Sequence, residues 1–117
     1  MSKGLVAAGA IDAGLAVAAG AFGAHALRDR LEPRALEIFE TAARYQMYHA
    51  LAIILCAVLA TTGARTAGWI MQAGIVVFSG SLYALALTDV KVLGAITPIG
   101  GLAFLVGWTW LAVSALR

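Results

Sequence analysis

The run GLVAAGAIDAGLAVAAGAFGAHAL, residues 4–27, decides the fold. Its only formal charge is Asp12. As a helix rising ~1.5 Å per residue it covers roughly 36 Å, enough to cross a ~30 Å hydrocarbon core with some tilt. A secretory signal has an apolar core of only about 7–15 residues, and an aspartate is out of place in one. The run is therefore a membrane span. Asp12, Ala16, Gly20 and Ala24 recur every four residues, and Ala8 extends the stripe. Small residues at that spacing let two membrane helices approach closely, so this face packs against protein. The run closes on Gly20-Ala-Phe-Gly-Ala-His25, just before most of the chain's charge. A histidine at that border, on a backbone stripped of bulk by two preceding glycines, is either a packing device or a site.

Composition supports the bilayer as solvent. Of 117 residues, 62% are apolar and 12% charged, whereas soluble domains have roughly 45–50% and about 25%. Mean hydropathy is +0.93. The length suits one domain, residues 1–117. A net charge of +2 with no basic cluster argues against nucleic acid as a partner. One cysteine, Cys56, excludes an internal disulfide and a Cys-rich metal site.

Eight of the chain's fourteen charges fall between Arg28 and Arg44. Pro33 suits the first turn of a helix. Leu36, Phe39, Ala43 and Met47 then form an apolar stripe at helical spacing. Residues 33–44 read as an amphipathic helix in the headgroup zone, its charges a solvated face, with Glu40 and Arg44 paired at i,i+4. It leads into span two, residues 45–62, whose entry Tyr45-Gln46-Met47-Tyr48-His49 is polar and aromatic. Thr61 to Arg65 reads as a short loop. Span three covers residues 67–88 and aligns Gln72, Ser79 and Tyr83 on one face. Span four covers residues 93–116. Thr97-Pro98 offers a helix start, leaving Val92–Ile96 as either an extra turn or an irregular connector. Gly100, Ala103, Gly107 and Ser114 form its small face, and Trp108 and Trp110 are expected to look outward. The fold class is all-α: a polytopic four-transmembrane-helix bundle with an interfacial helix between spans one and two. Basic residues are nearly balanced between the two sides and do not fix the orientation.

Several residues are candidates for chemistry. A carboxylate at mid-bilayer costs ~2.5–3.5 kcal/mol, so Asp12 faces the bundle and is partnered or protonated. It is either an ion or proton site, with Tyr83 or His49 as partner, or a buried hydrogen-bonded carboxyl. His25 and His49 come near one membrane face if spans one and two pack as a hairpin. They would then either ligate haem iron or a metal or, with Tyr45 and Gln46, join a hydrogen-bonded cluster. His25 is expected to bond to span two or to a carbonyl freed near Pro98; if it points to water, its motif matters for the glycines alone. Ser79 and Ser81 lack the Gly-x-Ser-x-Gly elbow of a serine hydrolase. Cys56 reads as inert packing. No cofactor is expected.

The chain resembles the YgdD-like family, known as domain of unknown function 423. The likeness rests on Gly20-Ala-Phe-Gly-Ala-His25, Tyr45-Gln46 with His49, Phe78-Ser-Gly-Ser-Leu-Tyr83, Thr97-Pro98 with Gly100-Gly101, and Gly107-Trp108, in that order. The resemblance implies a bacterial inner-membrane protein with no established catalytic activity. It implies shared polar positions at His25, Tyr45, Gln46, His49, Ser79, Ser81, Tyr83 and Thr97. The expected function is a non-enzymatic structural or interaction bundle with a polar interior, self-associating through its small-residue faces. The readings set beside it are a proton- or cation-coupled transporter using Asp12, and haem or metal binding through His25 and His49.

Overall fold

The computed structural model describes residues 2–117, and the chain is all-helical. Four helical passes are each long and apolar enough to cross a bilayer: Lys3–Leu27, Pro33–Leu59, Thr62–Thr88 and Leu93–Ala115. Short connections make neighbouring passes antiparallel, and the molecule measures 49 × 26 × 18 Å.

The first pass has three parts. Helix α1 (Lys3–Val17) is capped by Ser2, whose hydroxyl accepts from the Leu5 amide at 3.4 Å. A π-helical turn (Ala18–Gly23) follows, and then the short α2 (Ala24–Leu27). A π turn bonds i to i+5 and is wider than an α turn. The strict four-residue stripe read from sequence therefore ends here. Leu5, Gly9, Asp12 and Ala16 are buried along α1, and Ala24 is buried beyond the turn.

Helix α3 (Pro33–Leu59) is continuous, with Pro33 at its start. The helix of residues 33–44 runs directly into span two, as its sequence suggests. Twenty-seven residues make about 40 Å of helix, longer than a hydrocarbon core of ~30 Å. Phe39, Ala42 and Ala43 are buried among the other helices, so the apolar stripe of residues 33–44 packs on protein. Glu40 and Arg44 do not pair; among the described residues the helix-surface ion pair is Arg34–Glu37, at 3.9 Å.

The second loop is far shorter than expected. Ala60 takes a left-handed conformation (φ 59°) to end α3, and Thr61 caps α4 (Thr62–Thr88) by accepting from the Ala64 amide at 3.1 Å. Residues 62–65 are thus helix. At the other end Asp89, also left-handed, terminates α4. Helix α5 (Leu93–Ala115) begins before Thr97-Pro98, which lies inside it. Val92–Ile96 is therefore an extra turn. Proline is tolerated there because it removes a single backbone bond near the helix start, and membrane helices re-satisfy such gaps locally. Thr97 reaches back to the Leu93 carbonyl at 3.3 Å.

Helix α4 touches all three other passes, α5 and α3 most extensively and α1 more lightly, while α1 leans mainly on α3. The main apolar core joins Leu5, Ile53, Met71, Ile75 and Phe104, one or more from every pass. Two glycines set how close the passes come. A Cβ on Gly100 would strike the Phe78 backbone, and one on Gly9 would sit 2.6 Å from Ile54 and 2.9 Å from the Ala50 carbonyl. The small faces of spans one and four are thereby engaged within the chain. Ile11, Leu15, Leu51, Leu55, Val76, Ile99, Leu102 and Leu105 point outward. An apolar belt of that extent would drive a water-soluble chain to aggregate; in a bilayer it meets acyl chains.

Candidate functional site

Asp12 lies nine residues beyond the start of α1, about 14 Å along the helix, and is only 7% exposed. Helix α3 brings Gln46 against it. The Gln46 amide donates to the Asp12 backbone carbonyl at 2.7 Å, and its oxygen accepts from the Tyr83 hydroxyl of α4 at 2.8 Å. Gln72, three turns from Tyr83 on α4, donates from Nε2 to Asp12 Oδ1 in a long contact of 3.5 Å. Amide side chains suit this place because each carries a donor and an acceptor at fixed separation. One buried glutamine thus joins three helices. Two atoms remain buried without a partner: Asp12 Oδ2 and Gln72 Oε1.

Toward the loop between α4 and α5 the polar contacts are closed. Ser79 donates to the Ala42 carbonyl at 2.8 Å, tying α4 to α3. The Ser81 and Thr97 hydroxyls meet at 2.6 Å, tying α4 to α5. Each also lies near a carbonyl of its own helix, Phe78 at 3.0 Å and Leu93 at 3.3 Å. Whichever hydroxyl donates across the pair, the other donates to its own helix, so the pair is satisfied either way.

His49 lies one turn beyond Gln46 on α3, with its ring turned against α5. Its Nδ1 lies 2.8 Å from the Tyr45 carbonyl, which can only accept, so Nδ1 carries the proton. Nε2 is left as the acceptor for the Trp108 indole N–H at 3.0 Å. The imidazole stacks on Phe104, centroids 3.6 Å apart and planes 10° apart. Both ring nitrogens are occupied, and His49 has none to offer iron or zinc. Among the described residues no group of three or more His, Cys, Asp or Glu side chains is placed to hold a metal. Tyr45 contributes its carbonyl; its ring is half-exposed and packs on Phe78 and Tyr48.

His25 stands apart from these residues. It is exposed, and its Nδ1 receives the Arg28 guanidinium at 3.3 Å. The bond expected to span two or near Pro98 does not form: Ala24 faces inward, and its neighbour His25 faces outward. The glycines of the motif do pack: a Cβ on Gly23 would lie 3.2 Å from the Phe39 ring, and one on Gly20 3.5 Å from Ala43.

Two members of the polar interior escaped the sequence reading. Gln72 was visible on one face with Ser79 and Tyr83, but Tyr83 and His49 were favoured as partners for Asp12. Trp108 was expected to look outward. Its ring is 43% exposed, yet its N–H turns inward to His49. Thr97 lines a cavity of about 290 Å³ together with Arg34, Glu37, Thr41 and Phe78. A larger one, of about 780 Å³, lies between α4 and α5 near Thr62, Trp110 and Arg117, and neither Asp12 nor any of the eight polar positions named above lines it.

The chain's relatives are named membrane proteins. The UPF0382 membrane protein of Staphylococcus epidermidis is 48% identical over 118 residues, covering 98% of this chain and 97% of its own. The UPF0382 membrane protein YwdK of Bacillus subtilis is 47% identical over 120 residues, covering 98% of each. A Staphylococcus aureus relative of the same name class is 47% identical over 112 residues, covering 93% of this chain and 92% of its own. No solved structure matches. The profile of the family described as "Protein of unknown function (DUF423)" matches residues 19–101, a range that takes in the π turn, all of α3 and α4 and the start of α5, and the chain belongs to that family.

Proposed function

We propose that this chain is a non-enzymatic structural or interaction bundle of the bacterial plasma membrane. The observation that carries this reading is the destination of its buried polar groups. Gln46, Ser79, Ser81, Tyr83, His49 and Trp108 are engaged in bonds between helices. Such bonds stabilise a membrane bundle by ~0.6–2 kcal/mol each. A nucleophile with a base beside it, or a vestibule around the polar groups, would favour an enzyme or a carrier. Helical passes rather than a strand barrel favour the plasma membrane.

The first turns of α3 extend past the hydrocarbon thickness. Arg34, Glu37, Glu40 and Arg44 there form a headgroup-level collar of balanced charge. Its balance predicts that membrane insertion depends little on anionic lipid. Self-association has Gly14 and Gly80 as its remaining close-approach points, since both face open space. Sedimentation in detergent of the wild type beside Gly80→Leu tests this; an unchanged oligomer distribution removes Gly80 from the interface.

The main reading is tested in liposomes. The purified protein should leave imposed proton and potassium gradients decaying at the rate of empty vesicles. Substrate-dependent flux abolished by Asp12→Asn would replace the bundle reading with coupled transport, the second reading. The two unpartnered oxygens beside Asp12 are what favour that one.

A further inference from the structure

The geometry points to a proton-binding site at Asp12 and Gln72: Asp12 holds a proton on Oδ2 and shares it with Gln72 Oε1 in an acid–amide ring. A carboxylic acid and a primary amide pair through two parallel hydrogen bonds, N–H to C=O and O–H to C=O. The first is present, from Gln72 Nε2 to Asp12 Oδ1. The atoms the second would use are Asp12 Oδ2 and Gln72 Oε1. Those two are the buried side-chain oxygens without a partner among the described residues. Both are acceptors when Asp12 is ionised, and two acceptors cannot satisfy each other. One proton converts Oδ2 into a donor and satisfies both atoms at once.

The surroundings supply no other remedy. Gln46 of α3 faces Asp12 but gives its N–H to the backbone carbonyl, and Tyr83 of α4 is engaged with Gln46. Among the described residues no lysine, arginine or histidine lies within ion-pair distance of Asp12. An ionised carboxylate would therefore sit in a bilayer-spanning bundle with one oxygen lacking both a donor and a counter-ion. The other five acidic residues, Asp29, Glu32, Glu37, Glu40 and Asp89, are exposed near the charged end of the molecule. The site thus holds its carboxyl neutral at neutral pH. It is independent of whether the protein transports anything.

The variant Asp12→Asn is suited to the test. Its amide nitrogen can donate to Gln72 Oε1 as the protonated acid would, so the fold keeps both bonds. Infrared spectra of wild type and Asp12→Asn in lipid at neutral pH are subtracted. The expected difference is a carboxylic-acid carbonyl band, shifting on exchange into heavy water, with no carboxylate bands. Gln72→Leu should move that band to higher frequency, because the shared hydrogen bond is lost. Carboxylate bands in the first difference would overturn the proposal, and their dependence on sodium against choline would identify a bound cation instead. An acid band unmoved by Gln72→Leu would equally overturn the shared ring.

Discussion

The two flanks of the α3–α4 pair solve the same problem differently. On the α5 flank every donor finds an acceptor: Ser81 meets Thr97, Trp108 meets His49, and His49 meets the Tyr45 carbonyl. Glycine packing closes that flank, with Gly100 lying directly on Phe78. On the α1 flank Gln46 ties three helices together, yet Asp12 and Gln72 each keep one oxygen without a partner. A fully paired network fixes one geometry and responds to little. A network that is complete only with one added proton is sensitive to its surroundings. The contrast separates residues that hold the bundle together from the pair that could report on conditions inside it.

The contrast is sharpest at Gly100. Gly100→Ala forces a methyl into the Phe78 backbone, which cannot yield as a flexible side chain would. It should destabilise the protein by about 3 kcal/mol, the upper part of the overpacking range, read from unfolding in mixed micelles. On the α1 flank the largest effect falls at Gln46. Gln46→Leu removes two interhelical bonds and leaves the Tyr83 hydroxyl without its acceptor. A loss of about 1–2 kcal/mol is expected; no loss would make the α1 flank loosely held. The His49–Trp108 bond is smaller. A double-mutant cycle of His49→Phe and Trp108→Phe should return a coupling of about 0.6–1.7 kcal/mol, and zero coupling would remove His49 from the closed network. His25→Ala should change stability by less than about 0.5 kcal/mol, as for an exposed residue away from the core.

How much of this was legible can be judged at particular residues. Four spans followed from the apolar runs and their lengths, because bilayer thickness dictates helix length. The ends were harder. The second loop looked five residues long because Thr61 could not be recognised as a cap while a non-glycine, Ala60, carried the left-handed turn. Thr97-Pro98 has the form of a helix start, yet backbone bonds from Leu93, Gly94 and Ala95 back to Val90, Lys91 and Val92 wind the turn that precedes it. Gln46, Ser79 and Ser81 are buried, Tyr83 and Thr97 half-buried, and each bonds to another helix, as polar groups on an apolar face must find partners. His25 faces outward because its neighbour Ala24 holds the inward position of the stripe, which a histidine one residue further along the helix cannot share. Trp108 was read from its bulk, while the position of its N–H depends on a neighbouring helix.

The central claim is that the polar interior is closed to water. Single cysteines in a Cys56→Ala background test it most directly, using a charged, membrane-impermeant thiol reagent on protein in open membrane sheets. His25→Cys should label readily, since position 25 is exposed, whereas Gln46→Cys and Ser79→Cys should not, since both positions are buried. Ready labelling at position 46 or 79 would contradict the account and establish a water-filled path through the bundle.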